Sequence, residues 1–147
     1  MKEIGTLGEQ LIGRWLQLDN YELLEYNWRC RWGEIDLIAQ DKISQAIAFV
    51  EVKTRSAYNW DADGLLAINA IKQQKLIQTA SLFLSKHPSL AEFPCRFDVG
   101  LVSYQPCELT KNTNSDLAQI NYLEIGQSII IERHQLTIKD YLAAAFD

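Results

Sequence analysis

The sequence predicts a mixed α/β domain in which helices cover a central sheet. Segments with alternating apolar residues, which favour strands, are interspersed with segments whose apolar residues recur every three or four positions, which favour helices. Their order is α-β-β-β-α-β followed by β-β-α, and such a mixture buries its apolar faces by layering helices on a sheet. The chain has 147 residues, 48% of them hydrophobic and 22% charged, which is enough for one core. We therefore expect residues 1–147 to form a single domain.

The first element is a helix that begins at Thr6. Thr6 and Glu9 are spaced as in a capping box, in which both side chains satisfy free backbone N–H groups of the first turn. Glu9 therefore has an ordinary structural explanation. The apolar positions at helical spacing in TLGEQLIGRWLQL are Leu7, Leu11, Trp15 and Leu18.

Three strands follow the helix. YELLEYNWRC predicts the first, Trp32 and Gly33 mark a turn, and EIDLIAQ predicts the second. The short polar connection DKISQ leads to AIAFVEVKT, which predicts a third strand in an antiparallel hairpin with the second. Asp36 and Glu51 therefore come close together. The second strand is expected to have one face with Ile35, Leu37 and Ala39 and another with Glu34, Asp36 and Ile38.

The second half begins with a loop, SAYNWDADG, and a long helix. The helix is predicted from Leu65 to Lys86, and CRFDVGLVSY predicts the next strand. Residues 105–119 are rich in Asn, Thr, Asp and Ser, which is typical of a polar surface loop or insertion. INYLEIG and SIIIERHQ then predict a hairpin around Gly126 and Gln127. TIKDYLAAAFD predicts a closing helix, with Thr137 and Asp140 suited to N-terminal capping.

Net charge and cysteine content exclude several classes of protein. The net charge is −5, so any polyanion would have to meet a local basic patch. Three cysteines without a CxxC motif argue against a disulfide framework and against a zinc site. No stretch approaches the ~18 apolar residues of a membrane span, and the N-terminus has no apolar leader segment. We expect a cytoplasmic protein without a membrane partner.

FVEVKTR places Glu51 and Lys53 on one side of an otherwise apolar strand, which costs stability unless the charges have a use. Mg²⁺ prefers oxygen ligands and is usually held by one or two carboxylates together with water and substrate phosphate. Asp36 and Glu51, brought together by the hairpin, are such a pair, and Glu9 on the first helix is a further candidate. Lys53 is placed to orient or deprotonate water and to offset charge on a phosphate in the transition state. The constellation predicts phosphodiester hydrolysis.

GEIDLIA followed by FVEVKTR resembles the D-x(n)-E-x-K core of the PD-(D/E)xK nuclease superfamily. The whole arrangement resembles the YraN family of endonuclease-like proteins, which are relatives of archaeal Holliday-junction resolvases. The resemblance extends from GTLGEQ through CRFDVG and is weaker in YLAAAF. The resemblance implies a restriction-endonuclease-like fold in which a mixed central sheet is flanked by helices. It also implies that Asp36 and Glu51 bind Mg²⁺ or Mn²⁺, that Lys53 is the catalytic lysine, and that Glu9 supports the metal. Gln73 or Lys75 lies on the helix where many superfamily members carry an additional active-site side chain.

Purely structural roles for these residues stay open as well. Asp36 or Glu51 could form a structural salt bridge with Lys53, since buried ion pairs also occur without function. Basic side chains near aromatic ones could contact phosphates and bases, or the arginines and lysines could simply be solvated and the tryptophans part of the core. The candidates for nucleic-acid contact are Arg29, Arg31, Arg55, Lys72, Gln73 and Lys75, with Trp28, Trp32 and Trp60 beside the arginines.

The function expected from the sequence is a Mg²⁺- or Mn²⁺-dependent endonuclease. The resemblance implies DNA rather than RNA, with a branched or distorted structure, and a symmetric substrate would favour a homodimer. The alternative is a nucleic-acid-binding or protein-interaction module that keeps the nuclease fold but cleaves little, because an acidic chain is ill suited to a polyanion. Asp36, Glu51 and Lys53 are all present, which favours the enzyme.

Overall fold

The structure, a computed structural model, describes residues 3–59, 68–108 and 117–146. Single turns of 3-10 helix lie at Ala57–Asn59 and Leu117–Gln119. Residues 60–67, which include Trp60 and the predicted start of the second helix, lie outside the described part, as do residues 109–116 of the polar loop. The helices and strands of the described residues are α1 (Ile4–Leu18), β1 (Tyr21–Cys30), β2 (Gly33–Asp41), β3 (Ile47–Ser56), α2 (Ala70–Lys86), β4 (Cys95–Pro106), β5 (Ser128–Ile131) and β6 (His134–Phe146).

The strands form one six-stranded sheet in the order β1-β2-β3-β4-β6-β5. β3 and β4 are parallel, and the crossover that a parallel pair requires carries α2. The other neighbouring pairs are antiparallel, and the predicted hairpin between β2 and β3 is confirmed. This mixed sheet flanked by two helices confirms the predicted fold class and is consistent with a restriction-endonuclease-like fold.

The two helices cover opposite faces of the sheet, each over its own apolar cluster. The α1 cluster joins the buried side of that helix to inward-facing residues of the central strands and of β6. In the α2 cluster, Phe83 lies edge-on to both Phe49 of β3 and Trp28 of β1. Ile71, in the first turn of α2, is 71% exposed and belongs to neither cluster. The helical residues buried in the clusters are Leu7, Leu11, Ile12, Leu16, Leu76, Ala80 and Phe83.

Gly8 lets α1 approach β3 closely. A Cβ at residue 8 would overlap the Thr54 Oγ1 atom, and a threonine side chain is too short to withdraw. We expect Gly8→Ala to lower the free energy of unfolding by about 1–3 kcal/mol, although alanine is the better helix former. Gly5→Ala is the control, since no atom lies within 4 Å of a Cβ there. Urea unfolding would measure both variants, and a Gly8→Ala protein as stable as the parent would contradict this packing.

The capping box predicted at the start of α1 is wrong. The helix begins at Ile4, and Glu3 occupies the N-cap position without a side-chain hydrogen bond to the helix. Thr6 therefore lies inside the first turn. Glu9 is directed toward the sheet, where its side chain lies close to Asn27 and Asp36. The spacing of Thr6 and Glu9 matches the motif, but the chain enters the helix two residues earlier.

The predicted C-terminal helix is also wrong, because residues 134–146 form strand β6. β6 pairs with β4 along most of its length and with β5 on its other side, so its backbone groups are satisfied in the sheet. Leu136 and Ile138 are buried at alternate positions, a period of two that the three alanines of YLAAAF obscure in the sequence. Tertiary pairing overrides the helix propensity of alanine here.

The predicted hairpin around Gly126 and Gln127 is displaced. INYLEIG does not form a strand, and β5 turns into β6 at Glu132 and Arg133 instead. Both turn residues have positive φ, 48° and 67°. Asn and Gly are the usual residues in such turns, so the sequence gives little sign of this one.

A buried network fixes the end of β6 against β4. Asp98, 1% exposed, accepts hydrogen bonds from Arg96 Nε at 3.0 Å, from the Tyr141 hydroxyl at 2.6 Å and from the Ala144 N–H at 2.9 Å. Burial and the neighbouring Asp98 carboxylate raise the pKa of Tyr141. Asp98 and Arg96 therefore form an ion pair with a structural role.

Candidate active site

The sheet splits between β2 and β3 at Asp36. Ladder pairing between these strands ends at Leu37 opposite Val50, whereas β2 stays paired with β1 and β3 stays paired with β4 beyond that level. Inside the gap, the Asp36 carboxylate accepts the Val52 N–H at 2.8 Å and so replaces a strand partner. A fork between two central strands therefore holds a carboxylate at its apex.

Asn27 on β1 helps to form this fork. Its φ is 50°, in the left-handed region, which asparagine tolerates better than most residues. Tyr26 lies against Gly13 of α1, whereas Trp28, two positions later, packs against Phe83 of α2. In a regular strand these two aromatic residues would share a face. β1 therefore reverses its faces at Asn27.

β2 reverses its faces in the same place. Leu37 and Ala39 belong to the α1 cluster, but Ile35 belongs to the α2 cluster together with Ile38. The prediction that Ile35 shares a face with Leu37 and Ala39 is therefore wrong. The reversal lies at Asp36, so this residue can be reached from both sides of the sheet.

Asp36 lies in a surplus of negative charge. Burial, followed by the nearby carboxylates of Glu51, Glu9 and Glu34, raises its pKa to about 8, and the hydrogen bond from the Val52 N–H only partly offsets this. Four carboxylates thus meet at the fork. Their repulsion is the kind of cost that a bound cation removes.

Glu9 approaches Asp36 from α1. Its carboxylate lies close to Asn27 and Asp36, and burial, followed by the charges of Glu34 and Glu51, raises its pKa. The sequence predicted that Glu9 joins the two strand acids, and the structure brings its side chain to Asp36.

Glu51 is held from the α2 side. Lys72 Nζ lies 2.8 Å from Glu51 Oε1, and the side chains are 46% and 13% exposed, respectively. Lys72 reaches this position from the first turn of α2, where Asn69 caps the helix by accepting the Lys72 N–H at 2.8 Å. A lysine on a neighbouring element therefore provides the positive charge next to Glu51.

Lys53 lies on β3 two residues beyond Glu51 and is only 9% exposed. Burial, followed by repulsion from Lys72, lowers its pKa, and the nearby carboxylates of Glu51 and Asp36 oppose that shift. Among the described residues Lys53 has no ion-pair partner within 4 Å, so the structural salt bridge considered from the sequence does not form there. A buried ammonium without a paired carboxylate is costly and is typical of functional sites.

The donors at the fork fit a hard divalent cation in type. Within the described ranges, no group of three or more His, Cys, Asp or Glu side chains is already arranged around a metal position. Mg²⁺ does not require such a cage, because one or two carboxylates suffice when water and phosphate complete the octahedron. Asp36 and Glu51 are the two carboxylates in question, and Glu9 contacts Asp36.

The three arginines expected to contact nucleic acid are all exposed. Arg29 forms an ion pair with Glu34 at 2.9 Å, and the Arg31 guanidinium lies 4.6 Å from the centre of the Trp32 ring. Arg55 donates to the carbonyl of Thr54 on the same strand. Trp32 is 38% exposed, whereas Trp28 packs in the core. Only one of these two tryptophans is thus available for stacking.

The α2 candidates differ in their accessibility. Lys75 is exposed, and Lys72 is exposed but bound to Glu51. The amide nitrogen of Gln73 donates to the Ile68 carbonyl at 2.7 Å, so it stabilises the start of α2. The structure therefore places Lys72 at the fork and gives Gln73 a capping role.

Two residues at the fork were given no part in the site by the sequence. Asn27 lies close to Glu9, and Glu34 adds to the repulsion on Asp36. Asparagine is rare inside strands and common in left-handed backbone, so the N of EYNWRC was a usable signal for a local irregularity. Glu34 gave no comparable signal, since it immediately follows a turn.

The fold and the site together define a mixed α/β protein with a carboxylate-rich site at a strand fork. Residues 8–102 match the family model described as uncharacterised protein family UPF0102. A UPF0102 protein of Acaryochloris marina is 46% identical, with 98% of this chain and 90% of that protein covered. A UPF0102 protein of a Synechocystis strain is 43% identical over 99% of both chains.

The chain belongs to the UPF0102 family. The resemblance to the YraN family is confirmed at this level. In the described ranges, no helix has the length and apolar character needed to span a membrane.

Proposed function

We propose that the protein is a Mg²⁺- or Mn²⁺-dependent nuclease that hydrolyses phosphodiester bonds in DNA. The observation that carries the proposal is the meeting of Asp36 and Glu51 with a buried Lys53 that has no ion-pair partner among the described residues. Hard oxygen donors and a nearby ammonium are what hydrolysis of a phosphodiester requires. The resemblance of the sequence to the D-x(n)-E-x-K pattern supports the same function.

Each residue has a distinct part in this function. Asp36 and Glu51 would hold the cation, and Glu9, whose carboxylate lies close to Asp36, would support it. When bound, the metal would lower the pKa of water and polarise the phosphoryl oxygen. Lys53 orients the attacking water and offsets negative charge on the phosphate. Lys72 supplies the counter-charge of Glu51, a role that a bound cation would share.

We place the substrate backbone at the strand fork, with further phosphate contacts on α2, at the end of β3 and at the tip of the β1–β2 hairpin. Arg29, Arg31, Arg55 and Lys75 are exposed and offer phosphate contacts, and Trp32 offers an aromatic face for a base. We assign a branched or distorted DNA to the site from the resemblance to resolvases. A homodimer would suit a symmetric substrate of this kind.

A panel of labelled substrates tests the proposal. Linear duplex, single-stranded, flap and four-way junction DNA would be incubated with Mg²⁺ or Mn²⁺ and either the parent protein or Asp36→Ala. The expected result is metal-dependent products that vanish in the variant, ranked by substrate. Failure to cleave any substrate with either metal would overturn the proposal.

A second function is favoured by the net charge of −5. In this case the protein retains the nuclease fold as a nucleic-acid-binding or protein-interaction module, with Lys72 remaining on Glu51. It predicts a salt-sensitive shift in DNA mobility without products. The substrate panel separates the two functions.

A further inference from the structure

A cavity of about 510 Å³ lies along α1, next to the strand fork. Tyr26 and Asn27 of β1 line one side, and Leu117 and the turn between β5 and β6 line the other. Its size is in the range of sites for small organic groups. Glu9 lines this cavity and also lies close to Asp36, so the cavity and the proposed nuclease site share a side chain.

Glu132 also lines the cavity, and two features of this residue cost stability. Its backbone is left-handed, with φ 48°, in a two-residue turn that normally takes Asn and Gly. Its Oε2 atom is buried and has no hydrogen-bond partner among the described residues. Backbone strain and an unpaired buried acceptor both cost stability, and such costs concentrate where a ligand is bound.

The lining restricts the chemistry of that ligand. Glu9 and Glu132 repel phosphate and carboxylate groups, and the Arg14 guanidinium is already bonded to the Ile120 carbonyl at 2.9 and 2.7 Å. Two carboxylates beside an aromatic ring and a leucine suit a group that donates N–H bonds and has flat apolar faces to set against Tyr26 and Leu117. A nucleobase with an exocyclic amine has both properties.

We propose that this cavity receives an unpaired nucleobase of the substrate, with Glu132 accepting a hydrogen bond from the exocyclic amine. This inference rests on the proposed nuclease function and names its substrate class: DNA in which the base next to the cleaved bond has left the stack. Because Glu9 lies close to Asp36, the backbone of the extruded nucleotide would lie at the strand fork, where a bound cation would offset the repulsion between its phosphates and the carboxylates. Base extrusion costs least where pairing is already broken, as at a bulge or a branch.

The test uses short labelled duplexes with one bulged A, C, G or T, and a fully paired duplex, with binding measured by fluorescence anisotropy in Ca²⁺, a hard cation that offsets the carboxylates at the fork. The parent protein is expected to bind bulged A, C and G about tenfold more tightly than the paired duplex. Bulged T, which lacks an exocyclic amine, should bind less tightly than the other three bulges. Glu132→Gln should lose the discrimination against T. Glu108→Gln is the matched control, because this exposed glutamate does not line the cavity and should leave the preference unchanged.

A second variant separates the loss of the Glu132 carboxylate from any loss of stability in the turn. Glu132→Asn combined with Arg133→Gly suits the left-handed turn, so it should raise the melting temperature while removing the preference for bulged A, C and G. If both Glu132 variants keep the parent's preference, the base-binding cavity is refuted. If the preference depends on Glu132 but no substrate is cleaved with Mg²⁺ or Mn²⁺, the cavity stands and the nuclease function falls. If cleavage occurs but the protein shows no preference for bulged duplexes, the nuclease function stands and the base-binding cavity is refuted.

Discussion

Replacing Asp36 by asparagine is expected to stabilise the metal-free protein at pH 8. Repulsion from Glu51, Glu9 and Glu34, added to burial, raises the pKa of Asp36 to about 8, whereas its ordinary value is 3.8. Asparagine removes the charge and keeps an oxygen that can accept the Val52 N–H. We expect the free energy of unfolding to rise by about 2 kcal/mol, since each unit of pKa shift is worth about 1.4 kcal/mol and the neighbouring acids can share the protons.

The free energy of unfolding should also depend on pH, because the folded and unfolded chains release the Asp36 proton at different pH values. Between about pH 4 and pH 8 the folded protein retains a proton on Asp36 that the unfolded chain releases. The free energy of unfolding of the parent should therefore fall as the pH rises through this window. In Asp36→Asn the fall should be smaller. Denaturant unfolding at several pH values in EDTA measures both slopes.

Asp41→Asn is a matched control on the same strand. Asp41 accepts the N–H groups of Ile43 and Ser44 in the turn after β2, and these hydrogen bonds lower its pKa. The same substitution should therefore destabilise the protein at position 41 and stabilise it at position 36. If Asp36→Asn loses stability at pH 8 as Asp41→Asn does, the repulsion at the fork is not the dominant force on Asp36.

Lys53→Met is expected to abolish cleavage without unfolding the protein. Methionine is close to lysine in length, and it removes a buried ammonium that has no ion-pair partner among the described residues. Stability should therefore be retained or increased. Cleavage should fall by a factor on the order of 10² or more, as when a proton-transfer group or a charge that stabilises the transition state is lost.

Lys42→Met provides the comparison for this prediction. Lys42 is exposed in the turn between β2 and β3, at the end of the hairpin away from the fork. It carries the same change of charge and volume, so cleavage should continue at close to the parent rate. Initial rates with Mg²⁺, measured at equal concentrations of folded protein, compare the two variants. Equal rates for Lys53→Met and the parent would remove Lys53 from the mechanism.

The sequence was informative where chemistry and periodicity agreed. The charges that interrupt FVEVKTR, together with the short connection before this strand, placed Asp36 near Glu51, and the sheet has this register. The residues between Glu9 and Asp36 in the sequence give no comparable indication that these two acids come together. Only the docking of α1 over the sheet through Gly8 and Gly13 brings the two acids together.

Several features depend on pairing that no local segment can reveal. YLAAAF favours a helix on its own, and it becomes a strand because β4 offers an edge beside its parallel partner. The reversal of faces at Asn27 and Asp36 breaks the period of two on which strand predictions depend. The split between β2 and β3, which leaves Asp36 without a partner strand on that side, follows from that irregularity. The pattern of apolar residues in the sequence does not indicate it.

The most direct test of the proposed site is the initial rate of four-way junction cleavage by the parent protein and by Asp36→Asn. The rates would be measured with Mg²⁺, with Mn²⁺ and with EDTA, on samples whose folded fraction is checked by circular dichroism. We predict cleavage by the parent protein with metal only, and none by a variant that is at least as stable. Metal-dependent cleavage by Asp36→Asn at the parent rate would contradict the assignment of the strand fork as the catalytic site.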